Sequence, residues 1–272
     1  TVDLILASLL GSRMVTIFNF AQHLQQLPVG LFGTTIAQAA LPSLSQFSAK
    51  DKTEEFIATI HMAIHQILFW VLPSSVLFMV LRIPIVRLVF GASRFDWAAT
   101  VDTGMTLSAF SISLFAQALI HILARGFYAM YDSKTPVAVG IVTVLINSVL
   151  STLFILVFHM PVWSLGLSTS VASIINAFAL LYLLDRKMRG IISRSLLVPA
   201  AKMGVAAFVT GAALYIPLKL LDQLVFDTTR TFGLMLLTGI SAGLGVITYF
   251  FLSWVLGVSQ VYAVLKVTKK IQ

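Results

Sequence analysis

His23 stands among Gln22, Gln25 and Gln26 in residues 19–46, NFAQHLQQLPVGLFGTTIAQAALPSLSQ. An imidazole beside three carboxamides is equipment for holding a polar or anionic ligand, and a histidine can also take up a proton near neutral pH. The surroundings are apolar, with prolines at 28 and 42 and glycines at 30 and 33. The run is long enough to cross a bilayer, where each polar group left without a partner costs several kcal/mol. The polar face must therefore look into protein or into a water-filled cavity, which makes this helix the first candidate for a substrate path. The competing reading is an imidazole bonded to a neighbouring helix for packing alone.

Three other groups could do chemistry. Asp3 is the one acid in the first apolar run, and Asn147 and Ser151 lie one helical turn apart on a later one. With Thr169, in SLGLSTS, they form a set of small oxygen donors around one carboxylate, able to bind a hard monovalent cation. Serine and threonine equally often bond their own backbone. His61 and His65 are spaced i, i+4, but no third metal ligand is near in sequence; they read as polar residues on one face of a span. ARGFYAMYDSKTPV, residues 124–137, holds Arg125, Asp132 and Lys134 at the mouth of a helix pair, an ordinary basic loop or an ion-paired gate. Pro136 opens the following helix, with Ser133 or Thr135 near its cap.

The elements that must position these residues are membrane spans. The 272 residues are 58% hydrophobic and 10% charged, with a mean hydropathy of +0.97; soluble domains carry roughly 25% charged residues. After a short apolar run over 2–10, seven spans are expected at 14–47, 56–81, 97–124, 135–158, 164–185, 197–221 and 230–257. The alternation of a β-barrel is missing. The first run reads as the second half of a helix, and the start at Thr1 as that of a fragment of a longer chain. Cysteine is absent, so neither disulfide nor thiolate chemistry is available.

The net charge of +8 does not point to nucleic acid, because the basic residues sit in short loops. Twelve Lys and Arg fall in one alternating set of loops (50–52, 125–134, 186–202 and the tail at 266–270) and six in the other (13, 82–94, 219 and 230). The positive-inside rule puts the first set, and the C-terminus, in the cytoplasm. Residues 82–96 read as an amphipathic stretch at the outer interface. The sharpest composition break is RKMRGIISR, 186–194, and the two spans after it carry Gly239 and Gly243 at GxxxG spacing, which permits close helix packing. Signatures of catalysis are missing: no phosphate-cradling Gly-rich loop, HExxH, GxSxG or spaced carboxylate pair occurs. The class that remains is a transporter or channel.

AQHLQQLPVGLFGTTIAQAALPSLS followed about 80 residues on by LARGFYAMYDSKTPV resembles the MurJ/MviN family of lipid II flippases, in the multidrug/oligosaccharidyl-lipid/polysaccharide exporter superfamily. The resemblance runs along essentially the whole chain and is most specific in its first 170 residues. It implies an all-α polytopic, MATE-like fold. Residues 1–188 would be the second lobe, from a partial helix seven to helix twelve, and residues 189–272 an added C-terminal helix pair with a cytoplasmic tail. It implies a non-enzymatic flippase of the bacterial inner membrane, acting with an N-terminal lobe outside this sequence. The cargo would be lipid II, the undecaprenyl-diphosphate-linked disaccharide-pentapeptide, moved from inner to outer leaflet by alternating access. His23 falls where members usually carry a cavity arginine, Gln26 where many carry a glutamate, Gln22 beside them, and Arg13 near the cavity mouth. Asp3, Asn147, Ser151 and Thr169 correspond to a sodium site, with Ser151 in place of a second acid; no cofactor beyond a coupling sodium ion is implied.

Three other readings compete. A related exporter could move a drug or another polyprenyl-linked sugar, or a non-transporting scaffold could regulate wall synthesis. A glycosyltransferase would need catalytic acids at an outer loop, where Asp96, Asp102, Asp222 and Asp227 stand without a recognisable motif.

Overall fold

The computed structural model describes residues 2–91, 96–224 and 231–262 (backbone alone at 216–224 and 231–232). These residues form an all-helical, multi-pass membrane protein. The helices run α1 Val2–Leu9, α2 Ser12–Pro28, α3 Thr35–Ala49, α4 Thr53–Val80, α5 Arg82–Phe90 and α6 Trp97–Ser111. They continue with α7 Leu114–Ala129, α8 Lys134–Thr152, α9 Trp163–Met188, α10 Arg194–Leu224 and α11 Thr231–Val255. Among the described residues six stretches are long and apolar enough to span a bilayer, and the pair α6–α7, bent by 45°, makes a seventh. The basic tail at Lys266, Lys269 and Lys270, Arg94, and the side chains of Asp222 and Asp227 lie outside the described residues.

Helices α2 and α3 make one span, joined through a π-helical turn at Val29–Thr34. Pro28 has no N–H to give the preceding turn, and the hydroxyls of Thr34 and Thr35 bond the carbonyls of Gly30 and Leu31. The turn presses Gly33 against α7: a Cβ there would stand 2.9 Å from the Ala118 Cα. With little hydrophobic drive between helices in lipid, such close backbone approach supplies the packing energy. Pro73 is absorbed within α4, where Ser74 and Ser75 donate back to Trp70 and Val71.

Residues 97–124 were expected as one continuous span; the chain instead breaks after Ser111. Neither proline nor glycine stands at the break. Ser113 and Ser170 form a buried knot there: Ser170 Oγ lies 2.6 Å from the Ala109 carbonyl and 2.9 Å from Ser113 Oγ, and Gln117 donates to Ser113. These hydroxyls satisfy carbonyls that the bend takes out of the helical ladder.

Two apolar cores result. The larger joins α3, α4, α7, α9 and α10 through Leu44, Phe56, Ile60, Phe127, Leu184 and Met203; the smaller joins α1, α2, α6 and α9 through Leu6, Phe18, Phe110 and Leu165. Helix α10 lies along α4, and α11 along α10. The glycines at GxxxG spacing do not make this contact. A Cβ on Gly239 or Gly243 meets nothing within 4 Å, whereas one on Gly245 would stand 2.7 Å from the Leu214 side chain.

Candidate functional site

The polar cluster of α2 spreads over an arc of the helix. Gln25 is turned into the bundle and its Oε1 has no hydrogen-bond partner in the described structure; Gln22 is half-buried, and Gln26 and His23 are exposed. The arc follows from spacing: 22, 25 and 26 are one turn apart, and 23 shares a face with 26. A span of this hydropathy carrying exposed polar groups at mid-helix needs water or another protein surface in front of them.

Arg13 does not join this cluster. It stands ten residues earlier on α2, about 15 Å along the axis, and its guanidinium pairs with Asp96 at 2.5 Å. Asp96 caps α6 by accepting from the Ala99 N–H at 2.7 Å. That N–H, and then Arg13, hold the Asp96 carboxyl below its ordinary range. Asp96 is thus a helix cap and ion-pair partner.

Asp3, Asn147 and Ser151 do come together. Asn147 Nδ2 donates to Asp3 Oδ2 at 2.9 Å and Ser151 Oγ to Oδ1 at 2.7 Å. Both Asp3 and Ser151 are buried. Asn147 is about 20 Å along its helix from Lys134, so the group sits well inside the bilayer. Thr169 is not part of it, because its hydroxyl bonds the Leu165 carbonyl at 2.9 Å. Ser168, one residue earlier, turns inward, with Oγ 2.6 Å from Ser151 Oγ. The SLGLSTS segment offers three hydroxyls in a row, and helical phase selects the first. Asn147 Oδ1 is buried without a partner. One carboxylate with an orphaned amide oxygen and two hydroxyls is a donor set that suits sodium: hard, oxygen-only and of low charge. Among the described residues no three His, Asp or Glu side chains converge as a metal site.

The loop between α7 and α8 is held differently from its charge pattern. Neither Arg125 nor Lys134 pairs with Asp132. The partner is Lys187 on α9, which also lies over the Phe127 ring. Ser133 holds the N-cap position as expected, but the capping bonds go to Asp132, which accepts from the Thr135 N–H at 3.0 Å and its hydroxyl at 2.6 Å. Lys187 foremost, then these two donors, hold the Asp132 carboxyl well below the usual carboxylate range. A carboxyl whose folded value is depressed stabilises the fold fully above its unfolded value of about 4, and loses that contribution as pH falls through the folded value. Asp132→Asn should therefore lower the melting temperature by a constant amount between about pH 5 and 8, and by progressively less in acid below about pH 4. Thermal melts across that range read it out; a gap that persists unchanged into acid would count against the pairing.

His61 and His65 have a role that their spacing did not disclose. His61 Nε2 lies 2.8 Å from the Ile191 carbonyl and His65 Nε2 3.1 Å from that of Leu196. Asp185 accepts from the backbone N–H groups of Gly190 and Ile192. The junction between α9 and α10 is thus tied to α4 by the two histidines and to α9 by Asp185.

A family model described as lipid II flippase MurJ matches residues 1–231. The chain belongs to the MurJ family. A probable lipid II flippase MurJ of Vibrio cholerae is 30% identical over 266 residues, covering 94% of this chain and 48% of that protein. One of Bdellovibrio bacteriovorus is 30% identical over 264 residues, covering 96% and 48%. The chain spans about half the length of the curated MurJ relatives it matches. A solved structure of lipid II flippase MurJ in an inward closed conformation superposes with a TM-score of 0.74 over 93% of this chain and 49% of that one, at 23% identity, a likeness of fold. The MurJ match takes in the polar arc, the Asp3 group and the Asp132 loop.

Proposed function

We propose that this chain is the second lobe of a lipid II flippase, residues 1–188, with an added helix pair over 189–272. In the intact protein it moves the undecaprenyl-linked peptidoglycan precursor from the inner to the outer leaflet of the bacterial cytoplasmic membrane, with its C-terminus in the cytoplasm. The observation that carries this reading is the polar arc at His23 and Gln26, exposed at mid-span in a chain of the MurJ family. Membership of a flippase family supports transport rather than catalysis. The twelve-to-six bias of basic residues supports the orientation. The bonds from His61 and His65 to the junction support a division near 189.

The physics of the step is solvent replacement. A diphosphate-sugar headgroup cannot enter hydrocarbon, so a polar cavity stands in for its water while the polyprenyl tail stays in lipid. A protonated His23 offers two N–H donors to an anionic headgroup, and Gln22 and Gln26 offer amide donors and acceptors. Arginine would offer a permanent charge and a two-pronged grip. At the Asp3 group, Asp3, Asn147, Ser151 and Ser168 would hold sodium. A bound cation there would neutralise the buried carboxylate and favour whichever state of the lobe keeps α1, α8 and α9 together. Asp132 and Lys187, with Arg125 and Lys134 nearby in sequence, would latch the cytoplasmic end.

The test is complementation by the intact protein in cells depleted of their own flippase, with the two leaflet pools of lipid II measured. His23→Ala should reduce translocation about tenfold, the scale of one charge-assisted hydrogen bond, and His23→Arg should retain it. Full rescue by His23→Glu would remove the arc from the substrate path. Failure of the wild-type chain to prevent inner-leaflet accumulation would favour the scaffold.

A further inference from the structure

The short helix α5 closes a cavity of about 430 Å³ at the end of the bundle opposite Asp132. Arg82 and Arg87 come from α5, Trp97 from the start of α6, Tyr215 from α10, and Leu234 and Leu237 from α11. Both arginines are half-buried, and among the described residues no carboxylate lines the cavity. Among the described residues neither arginine has an ion-pair partner. The Arg87 guanidinium lies 5.8 Å from the centre of the Trp97 ring, and Arg82 donates to the Met79 carbonyl at 3.4 Å. The place is a membrane boundary, because α4 completes its crossing at Val80 and the next span begins at Trp97. Tryptophan and tyrosine are the side chains enriched at that depth.

Two guanidinium groups without an ion-pair partner among the described residues, beside an apolar wall, want one kind of ligand. They fit an anion that accepts paired N–H donors, as phosphate does, attached to an apolar chain for the exposed apolar wall of Met79, Trp97 and Tyr215. We propose that this cavity binds the phosphate headgroup of a membrane phospholipid, with an acyl chain lying against that wall. Inorganic phosphate would satisfy the arginines but leave that apolar wall without a partner. The lipid would wedge α5 between α6 and α11, which α5 contacts on either side, and so couple the helix pair to the rest of the chain. The site lies outside the polar arc of α2 and does not rest on lipid II transport.

Native mass spectrometry of the intact protein, titrated with phosphatidylglycerol and with diacylglycerol of the same chains, tests this. Wild-type protein should show one phosphatidylglycerol step that weakens at least about tenfold in the double variant R82Q/R87Q and weakens less in R82K/R87K, which keeps the charges but loses the paired donors. Independently of those variants, phosphatidylglycerol brominated in its acyl chains should quench wild-type tryptophan fluorescence, and Trp97→Phe should remove the quenched component. Three results would overturn the proposal: equal affinity in a correctly folded R82Q/R87Q, diacylglycerol binding as tightly as phosphatidylglycerol, or displacement of the lipid by millimolar inorganic phosphate. None of these readouts depends on whether lipid II is translocated.

Discussion

Gly33→Ala should cost the protein about 1–3 kcal/mol, the scale of overpacking in a tight core, while Gly30→Ala should cost nothing or slightly stabilise. Both glycines lie in the same π-helical turn, so the contrast isolates packing from backbone freedom. A Cβ on Gly33 would meet Ala118 at 2.9 Å from Cα, 3.0 Å from Cβ and 3.3 Å from O. Those atoms are backbone or the first side-chain carbon, and none can rotate away. Relief would require α7 to back off, yet α7 is pinned on its other faces by buried Ile122, Leu123 and Phe127. At Gly30 a Cβ meets nothing within 4 Å, and alanine there gains up to ~1 kcal/mol of helix propensity. Thermal unfolding of the two variants in detergent, with yield of folded protein, distinguishes them. Equal shifts would mean that the approach of the turn to α7 does not hold the span in place. Gly33→Leu extends the test, because a branched side chain at that contact should abolish accumulation of folded protein.

The spans, their number and the polar arc were legible because each is a property of one segment: a run of apolar residues, or polar residues one turn apart within it. The contacts between segments were not. Helix α6 breaks from α7 without proline or glycine, through a knot that needs Ser170, sixty residues away from the bend. Its signal in sequence is a scatter of serines, which in most spans merely bond their own backbone. Asp132 stood among basic neighbours, so local charge pointed to Arg125 and Lys134, whereas the helix hairpin brings up Lys187 instead. The choice between Ser168 and Thr169 turned on a rotation of about 100° per residue in α9, finer than boundaries read from hydropathy. His61 and His65 show the opposite case. Their shared face was visible, but its partners are backbone carbonyls at a junction, which carry no mark in sequence at all.

Asp3 is where loss of one side chain should separate structure from ion binding. In Asp3→Ala the hydrogen bonds from Asn147 and Ser151 vanish together, leaving the half-buried Asn147 amide unsatisfied at about 1–3 kcal/mol, while Ser151 keeps Ser168 as its partner. The melting temperature should fall sharply, and the effect should be local to α1, α8 and α9. Asp3→Asn is nearly isosteric and has a different consequence. The new amide would confront the Asn147 amide donor to donor, but Asn147 has an unused oxygen, Oδ1, on the same side chain. Turning that amide over converts the clash into a hydrogen bond and gives the orphaned oxygen its partner. Stability of Asp3→Asn should therefore stay close to wild type, while the charge is gone. A ligand that binds the folded state raises the melting temperature as its concentration rises above its dissociation constant. Wild-type protein should be stabilised when sodium replaces choline at constant ionic strength, and Asp3→Asn should not. If Asp3→Asn responds to sodium as wild type does, the carboxylate is not a sodium ligand and the group is a polar clasp between α1 and α8. If Asp3→Ala melts like wild type, the clasp itself contributes nothing, and the two hydrogen bonds at 2.7 and 2.9 Å merely replace equivalent bonds to water.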